Sequence, residues 1–255
     1  VLRIERVGTA DVWTIDRPEA KNALDRKTVE ALLGALAHAR TDSSLRAVVL
    51  TGAGGAFVSG GDLRELRDRN SRADAEEFAA AGAELCAGLE GLRVPVLAAI
   101  AGPALGGGAE LAVACDLRVG DPTARIAFKQ VRMGVTTAWG TMARLVTLVG
   151  ASGAARLLYT AHDVTADTAM ALGLLDAVSL PGEAVTFALA WAAEIAQGSP
   201  AAVADMKALV RAARTAGEVA GMERERFVAT WTGPDHAEAM EAYFARRAPA
   251  WKPLA

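Results

Sequence analysis

The run from Pro95 to Val119 restricts the fold more than any other part of the chain. Val96-Leu97-Ala98-Ala99-Ile100 is apolar, too short to cross a membrane and suited to a buried strand. Gly102-Pro103 breaks it, Gly106-Gly107-Gly108 follow, and Ala109 to Ala114 read as a buried helix. Three glycines leave no Cβ where strand turns into helix, so another group can approach the backbone closely. The first N–H groups of the helix point outward unpaired, at the positive end of its dipole. Such a turn is suited to stabilising negative charge, and Glu110 falls in its first turn. A tight strand–helix junction with a glutamate favoured by the dipole accounts for the same residues without any chemistry.

A chain of 255 residues, 52% of them hydrophobic, has enough apolar material for one large domain or a main domain with an appendage. The net charge of -3, with signs mixed, argues against a nucleic-acid partner, and no basic run suggests an anionic membrane surface. Cys86 and Cys115 both lie in apolar segments and read as buried free thiols in a reducing compartment. With no signal-peptide pattern and no charge-free apolar stretch of about 18 residues, a soluble cytoplasmic protein is expected. His38, His162 and His236 are scattered, so no metal site is expected. Ser59 and Ser152 lack the surroundings of a nucleophile elbow.

In chain order, Leu2 to Val7 and Val12 to Ile15 flank Gly8-Thr9 and predict a hairpin. Asp25 is an N-cap candidate for a helix with Val29, Leu32, Leu33, Leu36 and Ala37 on its apolar face. Ala47 to Thr51 predicts a buried strand. The loop Phe57-Val58-Ser59-Gly60-Gly61-Asp62-Leu63 then supplies a second glycine-bearing turn after a strand. It is neither a P-loop nor a dinucleotide fingerprint. Arg64 to Ala75 is charged and expected to be exposed or mobile, and the next helix presents Phe78, Leu85 and Leu89. Arg125 to Phe128 is extended, and a helix carrying Met142, Leu145, Val146 and Val149 follows. Thr165 caps a short helix ending at Gly173, and Leu174 to Val178 predicts a last strand. From Glu183 the pattern is helical, broken at Gly198-Ser199-Pro200, Gly217 and Gly233-Pro234 into about four helices. An α/β body over 1–198 and a helical region over 199–255 are therefore expected.

Four stretches together resemble the crotonase superfamily, the enoyl-CoA hydratase/isomerase family. They are Arg17-Pro18 with Asn22-Ala23-Leu24, Phe57 to Leu63, Gly102 to Asp116, and Ala169 to Val178. The resemblance implies an α/β fold, a ββα spiral, whose C-terminal helical region mediates homotrimers or dimers of trimers. It implies an acyl-CoA thioester substrate, with coenzyme A as part of that substrate and no separate cofactor. The shared chemistry builds negative charge on the thioester oxygen, and the resemblance gives the Gly61 and Gly107 amides as its oxyanion hole. Ser59 and Leu63 would border the adenine of coenzyme A. Lys21, Arg64 and Lys252 would meet phosphates, Lys252 on a neighbouring subunit's ligand. Trp139 is a candidate for the acyl pocket, with a core role equally open. Tyr243 and Phe244 read as ordinary helix packing.

Glu110 matches the first of two catalytic glutamates in the family's hydratases, whereas Gln130 stands where the second would be. No glutamate occurs between Glu110 and Glu183, so no small shift of register restores it. A glutamine can hold water but cannot exchange a proton at neutral pH. Hydration of an enoyl-CoA with Glu110 as acid/base is the leading expectation. Decarboxylation or C–C cleavage of a CoA ester, and non-catalytic binding of such an ester, are the alternatives.

Overall fold

The computed structural model describes residues 1–214, 219–247 and 249. Strands β1 (Leu2–Val7) and β2 (Ala10–Ile15) form the expected hairpin, pairing Leu2 with Ile15 and Val7 with Ala10. Helix α1 (Arg26–Thr41) starts where Asp25 accepts the Thr28 N–H at 2.8 Å. Then follow β3 (Ala47–Gly52), the single turn α2 (Leu63–Leu66), α3 (Arg72–Gly91) and β4 (Val96–Ile100). The central run continues as β5 (Pro103–Leu105), α4 (Gly107–Ala114) and β6 (Leu117–Gly120). Strand β7 (Arg125–Ala127), a 3-10 turn over Gln130–Met133 and α5 (Thr141–Thr160) come next. Strand β8 (Val164–Thr165), α6 (Ala166–Leu172) and β9 (Ala177–Val178) complete the body. Helices α7 (Ala184–Ile195), α8 (Pro200–Arg214), α9 (Val219–Trp231) and α10 (Pro234–Ala245) follow.

The main sheet has the order β1-β2-β3-β4-β6-β9, parallel beyond the first hairpin, and β5-β7-β8 form a smaller sheet. Both faces of the parallel strands are covered, which is why their sequences are nearly unbroken apolar runs. Val48, Leu50, Val96, Ala98 and Ile100 face the larger core with α1, α3 and α4. The alternate residues Ala47, Val49, Leu97 and Ala99 meet Ala184, Ala188 and Ala192 of α7. Alanines four residues apart give α7 a flat stripe that lies directly on the sheet. Among the described residues no helix is long and apolar enough to cross a membrane.

Two strand-end loops are brought together by backbone bonds. The N–H groups of Phe57 and Val58 donate to the Pro103 carbonyl at 3.0 and 3.2 Å, and Leu105 N–H donates to Val58 at 2.9 Å. The early motif knits the first of these loops in place. Asn22, fully buried, accepts from Arg17 N–H and donates to the Ala53 and Ala56 carbonyls at 2.8 and 2.7 Å. Leu24 N–H donates to Gly60, and Arg17 reaches Asp62 at 2.8 Å.

The structure refines several expectations. Ala37 is exposed, and α1 instead buries Thr28, Leu32, Ala35, Leu36 and Ala39; an alanine-rich helix marks its inner face poorly by apolarity. The charged stretch after Arg64 is largely exposed, as expected, and is held by local contacts. Leu66 is buried, and Arg69 pairs with Asp74 at 3.3 Å and Glu77 at 2.7 Å, so its charges neutralise one another. Only Ala177 and Val178 of the predicted last strand pair with β6, because the Leu174 and Leu175 N–H groups close α6 on the Ala169 carbonyl. Finally, α9 and α10 bury Phe227, Val228, Trp231, Met240 and Ala242 on their own chain. Among the described residues an exposed apolar face lies on α8, at Met206, Leu209 and Val210. The break expected at Gly217 lies outside the described residues.

A Cβ on Gly108 would fall 1.9 Å from the Val58 carbonyl oxygen, at the joint between the two loops. Gly108→Ala should therefore lower stability by about 2 kcal/mol, read as an earlier midpoint in urea unfolding.

Candidate active site

The two glycines singled out by sequence lie on these apposed loops. A Cβ built on Gly60 would sit 3.4 Å from the Gly107 nitrogen, so the loops touch where each would offer an amide. Neither the Gly61 nor the Gly107 N–H donates to an acceptor among the described residues. Side chains close around both. A Cβ on Gly61 would meet Leu66 at 2.9 Å and Phe78 at 3.0 Å, and one on Gly107 would meet the Trp139 ring at 2.5 Å. Glycine is needed at Gly107 for Trp139 to lie against it. Trp139 lies in the core, as the core reading of this residue expects, and packs on Phe78 at 5.6 Å.

Glu110, only 4% exposed, is one turn along α4 from Gly107. Its Oε1 accepts from Gln130 Nε2 at 2.7 Å. Its Oε2 accepts from Thr141 Oγ1 at 2.5 Å, Trp139 N–H at 3.1 Å and Ala138 N–H at 3.3 Å. The last three surround the N-terminus of α5, so a second helix dipole points at this carboxylate. The Trp139 peptide is held on its other side as well. Arg144 donates to the Trp139 carbonyl and forms a two-point pair with Glu90 at 2.8 and 2.7 Å. Glu110 and Gln130, widely separated in sequence, are thus in direct contact.

The residues expected around coenzyme A fall into one neighbourhood with one exception. Ser59 N–H donates to the Lys21 carbonyl at 3.1 Å and Ser59 Oγ to Ala20 at 3.2 Å. Leu63 and Arg64 open α2 directly after that loop; Lys21 and Arg64 are exposed. Lys252 lies outside the described residues. A cavity of about 560 Å³, lined by Leu66, Arg67, Trp231, His236, Met240 and Phe244, adjoins Gly61 across Leu66. Phe244 packs under the Arg67 guanidinium at 4.4 Å, while Tyr243 is exposed. Burial pushes both free thiols, Cys86 and Cys115, well up, which leaves them poor nucleophiles. Among the described residues no cluster of His, Cys, Asp and Glu could hold a metal ion.

Sequence reasoning missed Thr141, the Ala138 and Trp139 amides and the Glu90–Arg144 pair. The signal was present: Gly140-Thr141 before an apolar helical pattern marks a helix start, and helix starts gather acceptors.

The chain matches the family model described as enoyl-CoA hydratase/isomerase over residues 7–253. It is 36% identical over 247 residues to a short-chain-enoyl-CoA hydratase of Clostridium acetobutylicum, covering 96% of this chain and 94% of that one. It is 31% identical to a 2,3-dehydroadipyl-CoA hydratase of Escherichia coli, covering 98% of each. A crystal structure of an enoyl-CoA hydratase from Mycobacterium avium subsp. paratuberculosis superposes with a TM-score of 0.88 at 25% identity, covering 99% and 98%.

His236 carries a testable pH dependence. Its Nδ1 bonds the Met133 carbonyl at 2.9 Å, in the turn that holds Gln130, and its ring packs on Trp231 at 4.6 Å. Burial lowers its pKa from the usual 6.5, against the opposing pull of the Met133 bond. The unfolded chain thus binds a proton more readily, so this contribution is complete above pH 6.5 and is lost as pH falls through the lowered value. Unfolding midpoints measured from pH 7.5 down to 5.5 should decline more steeply in the wild type than in His236→Gln.

Proposed function

The chain belongs to the enoyl-CoA hydratase/isomerase family, and within it we propose that it adds water reversibly across the α,β double bond of an enoyl-CoA thioester. The observation that carries this reading is the placement of a buried, oriented carboxylate, Glu110, in the first turn of the helix that begins at Gly107. In the proposed reaction the thioester oxygen accepts hydrogen bonds from the Gly61 and Gly107 amides. Losing one such donor in other enzymes costs about 3 kcal/mol of transition-state stabilisation. Glu110 takes a proton from water as the water oxygen bonds to the β-carbon. The double-bond electrons move through the α-carbon onto the thioester oxygen, giving the enolate. Glu110 then returns a proton to the α-carbon, and the carbonyl re-forms. Dehydration is the reverse. Gln130 holds Glu110 in place through its amide N–H.

Ser59 and Leu63 would border the adenine, and Lys21, Arg64 and Lys252 would meet phosphates. Coenzyme A enters as part of the substrate, and the reaction needs no other cofactor. The relatives named as hydratases support the reaction type, and the name of the Clostridium relative supports a short acyl chain. The exposed apolar face of α8 supports self-association, for which we propose a homotrimer or dimer of trimers in the cytoplasm.

The presence of Gln130 instead of a second carboxylate favours one other reading, decarboxylation or C–C cleavage of a CoA ester, in which a second acid is dispensable. A panel of CoA esters separates the two. For hydration, Glu110→Gln should lower kcat on crotonyl-CoA by about 10²–10⁴-fold with KM changed only a few-fold. Gln130 can turn its amide to keep the contact, so the variant should retain its thermal midpoint within a few degrees. An unaltered kcat would overturn the assignment of Glu110. Release of CO2 or a shortened acyl-CoA would favour the second reading.

A further inference from the structure

Three of the groups that hold Glu110 lie on one short stretch of chain: the Gln130 side chain and the Ala138 and Trp139 amides. That stretch has little regular structure of its own, a single 3-10 turn over Gln130–Met133 and then a loop up to Gly140. Gly134 N–H closes the turn on Val131 at 3.4 Å and Val135 N–H closes it on Gln130 at 3.1 Å. No backbone N–H among the described residues donates to the Met133 carbonyl. An isolated 3-10 turn is weakly bonded, so its position is set from outside.

The tail helices set it. His236, in the first turn of α10 and 103 residues further along the chain, places Nδ1 2.9 Å from the Met133 carbonyl. A carbonyl only accepts, so Nδ1 carries the hydrogen. The ring is 6% exposed and lies against Trp231 at 4.6 Å. Trp231 is itself fixed by Phe78 at 5.3 Å and by its own bond to the Arg69 carbonyl at 3.1 Å. Three residues past Met133, Thr136 N–H donates to Thr230 Oγ1 of α9 at 3.4 Å.

Resting on the acyl-CoA reading above, we propose that His236 is a positioning residue for Glu110, acting through the Met133 carbonyl, with Thr230 as a second strap. It touches no reacting atom. Without the Met133 bond, the stretch that carries Gln130 and the two amides can shift, and a displacement of about 1 Å near a catalytic base slows turnover strongly. A residue that only supports the fold slows every form of the enzyme alike. One that works through Glu110 matters only while Glu110 is a carboxylate.

The ring and its N–H can be separated. His236→Phe keeps a ring for Trp231 and has no donor, whereas His236→Asn offers an amide N–H about where Nδ1 stands and has no ring. On crotonyl-CoA, His236→Phe should lower kcat about tenfold with KM changed only a few-fold, and His236→Asn should recover most of the loss. In a Glu110→Gln background His236→Phe should change the residual kcat by less than about twofold. A wild-type kcat in His236→Phe, no recovery in His236→Asn, or the same fractional loss in the Glu110→Gln background overturns the proposal and leaves the acyl-CoA reading standing. Should His236→Phe fail to fold, Thr230→Val goes through the same cycle. A several-fold loss of kcat confined to the Glu110 enzyme then supports the proposal, and a wild-type kcat overturns it. An unaltered kcat in Glu110→Gln alone overturns the reading on which the proposal rests, and the proposal with it.

Discussion

The backbone pairing of Phe57 and Val58 with Pro103 and Leu105 is the constraint on which the site depends. It joins the ends of two neighbouring strands of one parallel sheet, β3 and β4, and turns both loops the same way. At the carboxyl end of adjacent parallel strands the chain must leave the sheet, and there loops from different parts of the sequence converge. Here one loop ends at Gly61 and the other starts α4 at Gly107. Everything that looks like a catalytic motif in the sequence serves either this joint or what lies directly around it. Asn22 and Arg17 brace the first loop, and glycine at 108 lets the second come close enough to pair.

Much of this was legible because it is local or periodic. The hairpin, the buried strands, the glycine-lined start of α4, the Asp25 and Thr165 caps and the helical tail all follow from short-range patterns. What the sequence could not display was contact between distant segments. That Gln130 touches Glu110, that Thr141 donates to the same carboxylate, and that Arg144 and Glu90 steady Trp139 from behind depend on helix packing. The alanine-rich inner face of α1 was misjudged for a related reason. Small residues give a weak apolar signal, and a pattern cannot say which surface will cover a helix.

The aromatic cluster explains why the tail belongs energetically to the site. Phe78 stacks on Phe227 at 6.1 Å and on Trp231 at 5.3 Å, and it also covers Gly61 and Trp139. Trp231 donates to the Arg69 carbonyl at 3.1 Å, so α9 clamps the loop that follows α2. Removing the tail would uncover Phe78, which itself covers Gly61, and not only a remote surface. The short helix α2, with a single buried leucine, has too little apolar surface to be stable alone and relies on these contacts.

Under the proposed chemistry the site must tolerate two negative charges in a small, dry volume: the Glu110 carboxylate and the enolate oxygen. In low dielectric their repulsion would be severe unless fixed positive potential offset it. The fold supplies that potential without a cationic side chain at the reacting centre. Helix α4 begins at Gly107 and α5 at Thr141; the N-terminus of α5 is directed onto Glu110, and under the proposed chemistry that of α4 would face the thioester oxygen. A second carboxylate in place of Gln130 would add another charge there or force two acids to share a proton. The glutamine instead offers a neutral donor to Glu110. It lowers the charge load on the site, and under the proposed chemistry that leaves one carboxylate to carry the proton in each direction.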